Sequence, residues 1–160
     1  MDVAEVFQFM NRESFAVLAT VGDNGQPQAT VMGLAVTREL EIVFDTVRLR
    51  AKYANSKKNP RVAWVIGCTT EVAAQYEGSA REFEEEELAR YQQTYFAKFT
   101  DGPERLTWPG ITYFVVRPKW VRYCDYNPGT RRIVFRKSKL GSIPRRSFCG
   151  EISRLPIGIN

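Results

Sequence analysis

The chain contains no histidine. That absence excludes Ser-His-Asp and Cys-His catalysis, histidine-ligated haem, and zinc sites built on imidazole. General acid–base work is left to carboxylates, lysine, tyrosine or a cofactor. Cysteine is scarce: Cys68, Cys124 and Cys149 are odd in number and lack CxxC spacing. They read as reduced thiols of a cytoplasmic protein, not as a disulfide framework or a metal site. No apolar run approaches the roughly 18 residues a bilayer-spanning helix needs. The segment after Met1 lacks the charged start and apolar stretch of a secretory signal. There is no GxGxxG fingerprint, so any nicotinamide would bind only transiently.

What is present suits one domain. Apolar residues make up 44% of the 160, enough for a core that buries about 70% of the unfolded surface. The net charge of +5 is unevenly placed: residues 130–160 hold eight Lys or Arg against Glu151 alone, which leaves residues 1–129 at −2. The chain is therefore read as a main domain over 1–129 and a basic extension over 130–160. The extension is expected to contact a partner subunit or a cofactor. It lacks a recognisable nucleic-acid-binding module, so nucleic acid is not the expected partner, and neither is a membrane.

Asp2 and Glu5 form a capping-box pattern, with Val3, Val6, Phe7 and Met10 on one helical face. Phe15 to Val21 and Pro27 to Val36 are strands joined by the Asp23-Asn24-Gly25 turn. Leu40 to Asp45 is a third strand, and a helix over 47–58 pairs Leu49 with Tyr53 before Pro60 ends it. Arg61 to Ile66 and Val72 to Phe83 follow, with Gly78 marking a bulge. Glu84 to Lys98 is an amphipathic helix that buries Leu88, Tyr91, Tyr95 and Phe99. Its four leading glutamates complement the helix dipole and Lys98 complements the other end. Asp101-Gly102-Pro103 opens a loop, and Ile111 to Tyr126 closes the domain as a long strand or strand pair interrupted at Arg117-Pro118. Trp64 and Trp120 lie in strands as core or interface residues. Six strands, few helices and hairpin connections predict a mainly β chain built as an antiparallel Greek-key barrel.

The stretch Phe44 to Ile66 has a more specific reading. A strand runs into Thr46, then into a cationic helix start with Arg48, Arg50 and Lys52. Unpaired helix N–H groups beside guanidinium and ammonium groups make a phosphate cradle.

The order of elements resembles the pyridoxamine-phosphate-oxidase-like group of FMN-binding split barrels. The segments 15–32 (FAVLATVGDNGQPQATVM), 40–46 (LEIVFDT), 48–64, 73–83 and 111–126 carry the likeness. Its most specific part is Thr46-x-x-x-Arg50-x-Lys52 followed by Asn59-Pro60-x-Val62. The resemblance implies a six-stranded split barrel and a homodimer with FMN at the subunit interface. It also implies flavin-mediated hydride or electron transfer on a small molecule, with NAD(P)H a candidate donor. Carried over by residue, Thr46, Arg50 and Lys52 are phosphate-site candidates, with Arg48 in reserve; Arg50 stands where the family commonly has Ser. Two cations and a hydroxyl on a phosphate give charge-assisted bonds of about 1.5–3 kcal/mol each. The backbone of Gln28, Ala29, Thr30, Val31 and Met32 is expected along the isoalloxazine edge. Trp108, before Pro109-Gly110, either covers the flavin from the second subunit or caps the barrel. The resemblance names no catalytic side chain and no metal. The missing histidine removes the substrate motif of a true pyridoxamine phosphate oxidase and the iron ligand of haem-degrading relatives. A deazaflavin-dependent reductase and a non-enzymatic flavin-binding or sensor protein are the alternatives.

Overall fold

Among the described residues seven strands pair antiparallel in one sheet: β1 (Phe15–Val21), β2 (Pro27–Gly33), β3 (Ala35–Val36), β4 (Ile42–Val47), β5 (Arg61–Ile66), β6 (Val72–Glu82) and β7 (Ile111–Asp125). The structure is a computed structural model that describes residues 2–67 and 69–127. The basic extension 130–160, Cys68 and Cys149 lie outside the described residues. Among the described residues four helices decorate the sheet: α1 (Val3–Arg12), α2 (Ala51–Lys58), α3 (Glu85–Phe96) and α4 (Gly102–Arg105).

The sheet order is β2-β1-β5-β6-β7-β4-β3. Its two ends, β2 and β3, are consecutive pieces of chain separated only by Leu34. The sheet must therefore curl until its ends meet, which makes a split barrel. The expected single strand 27–36 is thus two, and six strands become seven. The chain changes partner at Leu34, leaving β1 for β4.

Inward-facing Leu18, Ile42, Phe44, Trp64, Tyr76 and Phe114 are fully buried and fill the barrel, each contributing about 1.5–3 kcal/mol. The capping box of α1 forms as expected, and Val6 and Met10 of that helix join this core. A second cluster lies on the outer side of β3, β4 and β7, where Ala35, Val43, Tyr113 and Val115 are covered by Tyr91 and Tyr95 of α3.

Four local expectations change. Helix α2 begins at Ala51, and Leu49, expected to pair with Tyr53, is 95% exposed. Residues 47–50 instead form the turn that carries β4 into the helix, so Leu49 belongs to no helical stripe. Lys98 does not cap α3; its ammonium donates to the carbonyls of Asn11, at 3.0 Å, and Glu13. The loop expected after Asp101 is the short helix α4. Pro118 does not break β7. It sits opposite Gly78, where the β6–β7 register slips at Glu77/Gly78, and a bulge tolerates the missing N–H.

Candidate functional site

The split lies between two strand edges. β3 pairs with β4 at Ala35↔Val43 and Val36↔Ile42. Continued, that register would set Gly33 against Asp45 and Val31 against Val47. The ladder stops instead, and among the described strands none pairs with the outer edge of β2 or with the corresponding edge of Phe44 to Val47. Backbone donors and acceptors along both edges therefore remain open to a ligand.

Alternation along β4 sends neighbouring residues to opposite sides. Asp45 faces α3: it accepts from the Tyr95 hydroxyl at 2.9 Å and from Arg105 Nη1 at 3.0 Å. Arg105 also donates to Asp101 through Nε and Nη2, at 3.0 and 2.7 Å. Burial opposes its charge, but the hydrogen bonds to Asp101 and Asp45 outweigh it and hold the guanidinium protonated. Burial, and then the Asp45 charge, raise the Tyr95 phenol and push that of Tyr113 up to about 12. Tyr95 and Phe99 also press on Gly33, where an added Cβ would lie 3.0 Å from Phe99 and 3.4 Å from the Tyr95 hydroxyl. Tyr95 thus touches both strands that flank the split.

Thr46 faces the barrel interior. Its hydroxyl is buried and has no hydrogen-bond partner, as is true of Ser56 on α2. An unpaired buried hydroxyl costs about 1–3 kcal/mol, and such a group calls for a ligand or an ordered water. Just beyond it, no side chain caps α2 at its N-cap residue, Arg50, so the first amides of the helix lack a side-chain partner. Arg50 is exposed and makes no ion pair among the described residues. The Lys52 ammonium is held below its usual range by burial and by Arg50, with partial relief from Asp45. Arg50 and Lys52 thus flank Ala51, the first residue of α2, and Thr46 precedes them near the end of β4. Arg48 is committed elsewhere: its Nη2 donates to Glu82 at 2.7 Å, and its guanidinium lies 5.7 Å from the Tyr53 ring centre.

The five residues of β2 behave differently from one another. Gln28 accepts from Asn55 Nδ2 at 2.9 Å, which ties β2 to α2, and the same nitrogen donates to Thr20 at 3.0 Å. Ala29 is exposed, Thr30 half-buried and Val31 66% exposed. Met32 points into the core, so only its backbone is open to a ligand. Trp108 is 51% exposed, with the Arg105 guanidinium 5.7 Å from its ring centre. Its turn lies beside the cradle, because Gly110 accepts from the Arg48 amide at 2.9 Å.

Sequence reasoning missed Glu82, Asp45, Asn55, Tyr95 and Arg105. Each acts through a partner 25 or more residues away in the chain (Tyr95–Asp45 spans 50, for instance), a separation no local pattern reveals.

A family model described as pyridoxamine 5'-phosphate oxidase matches residues 3–125. No curated protein sequence matches the chain. Among solved structures, a heme binding protein from Mycobacterium smegmatis superposes with a TM-score of 0.69 at 18% identity, covering 79% of this chain and 56% of that one. This chain thus spans little more than half that protein's length. A conserved hypothetical protein from Mycobacterium tuberculosis gives a TM-score of 0.68 at 25% identity, covering 89% of this chain and 93% of the other. A protein described as an F420 reductase gives 0.56 at 26%, covering 71% and 93%.

Proposed function

The chain belongs to the pyridoxamine 5'-phosphate oxidase family, and we propose that it is an FMN-binding oxidoreductase that works as a homodimer. One observation carries this reading: the start of α2, flanked by Arg50 and Lys52, has no side-chain cap, and the strand leading into it carries the buried, unpartnered hydroxyl of Thr46. That donor set fits a phosphate monoester, which asks for charge-assisted bonds and open amides. The open edge of β2 fits the polar rim of a flavin ring, with Gln28 to Met32 offering backbone groups. Bound there, the flavin would supply hydride or electron transfer.

The chain's own residues would bind and orient. Arg50, Lys52 and Thr46 would hold the phosphate, the β2 backbone would fix the ring edge, and Trp108, in the turn whose Gly110 accepts from the Arg48 amide, would shield the ring from water. Tyr95, bonded to Asp45, keeps the strand before Thr46 in place. The cytoplasm is the expected compartment, from the scattered cysteines alone.

The dimer reading rests on an apolar outer face. Phe15 and Val31 are 63% and 66% exposed, and Val31 lies opposite Val17, which lies opposite Val65. Ala29, Ala19 and Ala63 form a second row beside them. An exposed apolar sheet face next to an open strand edge suits a second copy of the chain.

A deazaflavin is the second reading, favoured by the likeness to the F420 reductase. Haem is disfavoured because the chain has no histidine to ligate iron. Purification and mass spectrometry of the heat-released ligand separate these. FMN bound, and bleached on adding NAD(P)H, is the expected result. Bound flavin that no donor reduces would mark a carrier or sensor, and a released deazaflavin or haem would refute FMN.

A further inference from the structure

One carboxylate at the inner side of the cradle collects four donors. Glu82 accepts from Thr112 Oγ1 at 2.6 Å, Arg48 Nη2 at 2.7 Å, Lys57 Nζ at 3.0 Å and the Tyr53 hydroxyl at 3.4 Å. Its side chain is 17% exposed, whereas those of Arg48 and Lys57 are 58% and 51% exposed. The carboxylate is thus the shielded member of the group and the cations are the solvent-facing ones. Burial would raise its pKa, but the hydrogen bonds from Thr112 and Lys57, then the Arg48 charge, more than offset this and keep it ionised. Thr112 is the cross-strand partner of Thr46. Glu82 therefore sits one side chain away from the unpartnered hydroxyl at the helix start.

The charges around this helix start divide in two. Arg48 and Lys57 are turned onto Glu82, whereas Arg50 and Lys52 have no ion pair among the described residues. We propose that Glu82 is a specificity-determining counter-anion of the cradle: it holds Arg48 and Lys57 away from the ligand and opposes a bound phosphate in proportion to the phosphate's charge. This rests on the flavin-phosphate reading. A carboxylate this close to a bound dianion repels it across a partly solvated path, and removing the repulsion is worth about tenfold in affinity. An uncharged ligand feels none of it.

Titration with FMN and with riboflavin, followed by flavin fluorescence, tests the proposal on the wild type and on Glu82→Gln. Glutamine keeps the shape and still accepts from Thr112. The variant should bind FMN about tenfold more tightly than the wild type does and riboflavin within about twofold of it. Weaker FMN binding, or an equal change for both ligands, would make Glu82 a merely structural tether and overturn the proposal while leaving the flavin reading intact. A wild type that binds neither ligand would overturn the flavin reading and the proposal with it. Should Glu82→Gln not fold, Glu82→Met removes the same charge and is judged by the same FMN-to-riboflavin ratio.

Discussion

The hydroxyl of Tyr95 donates to Asp45 at 2.9 Å and ties α3 to the residue that immediately precedes Thr46. Asp45 keeps a second partner, Arg105, at 3.0 Å, so losing the tyrosine hydroxyl does not strand the carboxylate. Tyr95→Phe should therefore fold and lose about 1–2 kcal/mol of stability, read as a lower urea midpoint with an unchanged slope. A midpoint equal to that of the wild type would show that the bond contributes nothing.

Arg50 is the exposed cation at the N-cap of α2 and is proposed to bind the phosphate. Its replacement by alanine should weaken FMN binding roughly tenfold to a hundredfold and leave thermal stability unchanged, because its side chain has no ion pair among the described residues. Calorimetric titration measures the first and thermal unfolding the second. Unchanged FMN affinity would remove Arg50 from the phosphate site.

Lys52 gives the site a pH dependence of known sign. Burial and Arg50 lower its pKa below 10.5, so the ammonium that attracts phosphate is lost earlier on the alkaline side than on a free lysine. FMN affinity should therefore decline on the alkaline side, beginning below the pH at which an ordinary lysine loses its proton, and Lys52→Arg should flatten that decline because arginine stays charged. Riboflavin, measured alongside, controls for ionisation of the ring. An identical alkaline limb in Lys52→Arg would assign the loss to another group.

The β6–β7 bulge makes a prediction about stability alone. A Cβ on Gly78 would meet Val116 Cγ1 at 2.6 Å, the Arg117 carbonyl at 2.7 Å and the Tyr76 ring at 2.8 Å. Gly78→Ala should cost about 1–3 kcal/mol, seen as a drop in the thermal unfolding midpoint. A neutral result would mean the two strands can part at the bulge at no cost.

Features written in adjacent residues were legible in the sequence. Asp2 and Glu5 cap α1, Gly25 takes the positive φ of the hairpin turn, Pro60 follows the end of α2 and Gly78 marks the bulge. The proposed cradle likewise rests on near neighbours, since Thr46, Arg50 and Lys52 lie within one short stretch of chain. The start of α2 was misread because Leu49 matches a helical spacing yet faces solvent, and a short apolar pair does not say which side is water. The break at Leu34 was invisible because both halves of 27–36 have strand character. What changes there is the pairing partner. Glu82 and Arg105 were missed because their meaning comes from register: Thr112 stands opposite Thr46, and Asp45 meets a helix 60 residues onward in the chain.

The cradle of Thr46, Arg50 and Lys52 is proposed to hold the phosphate of a flavin. Equilibrium titration of ligand-free protein with FMN, with riboflavin as competitor, tests it most directly. Binding should saturate at one FMN per chain, with FMN preferred over riboflavin by at least about tenfold. No saturable flavin binding, or equal affinity for FMN and riboflavin, would contradict it.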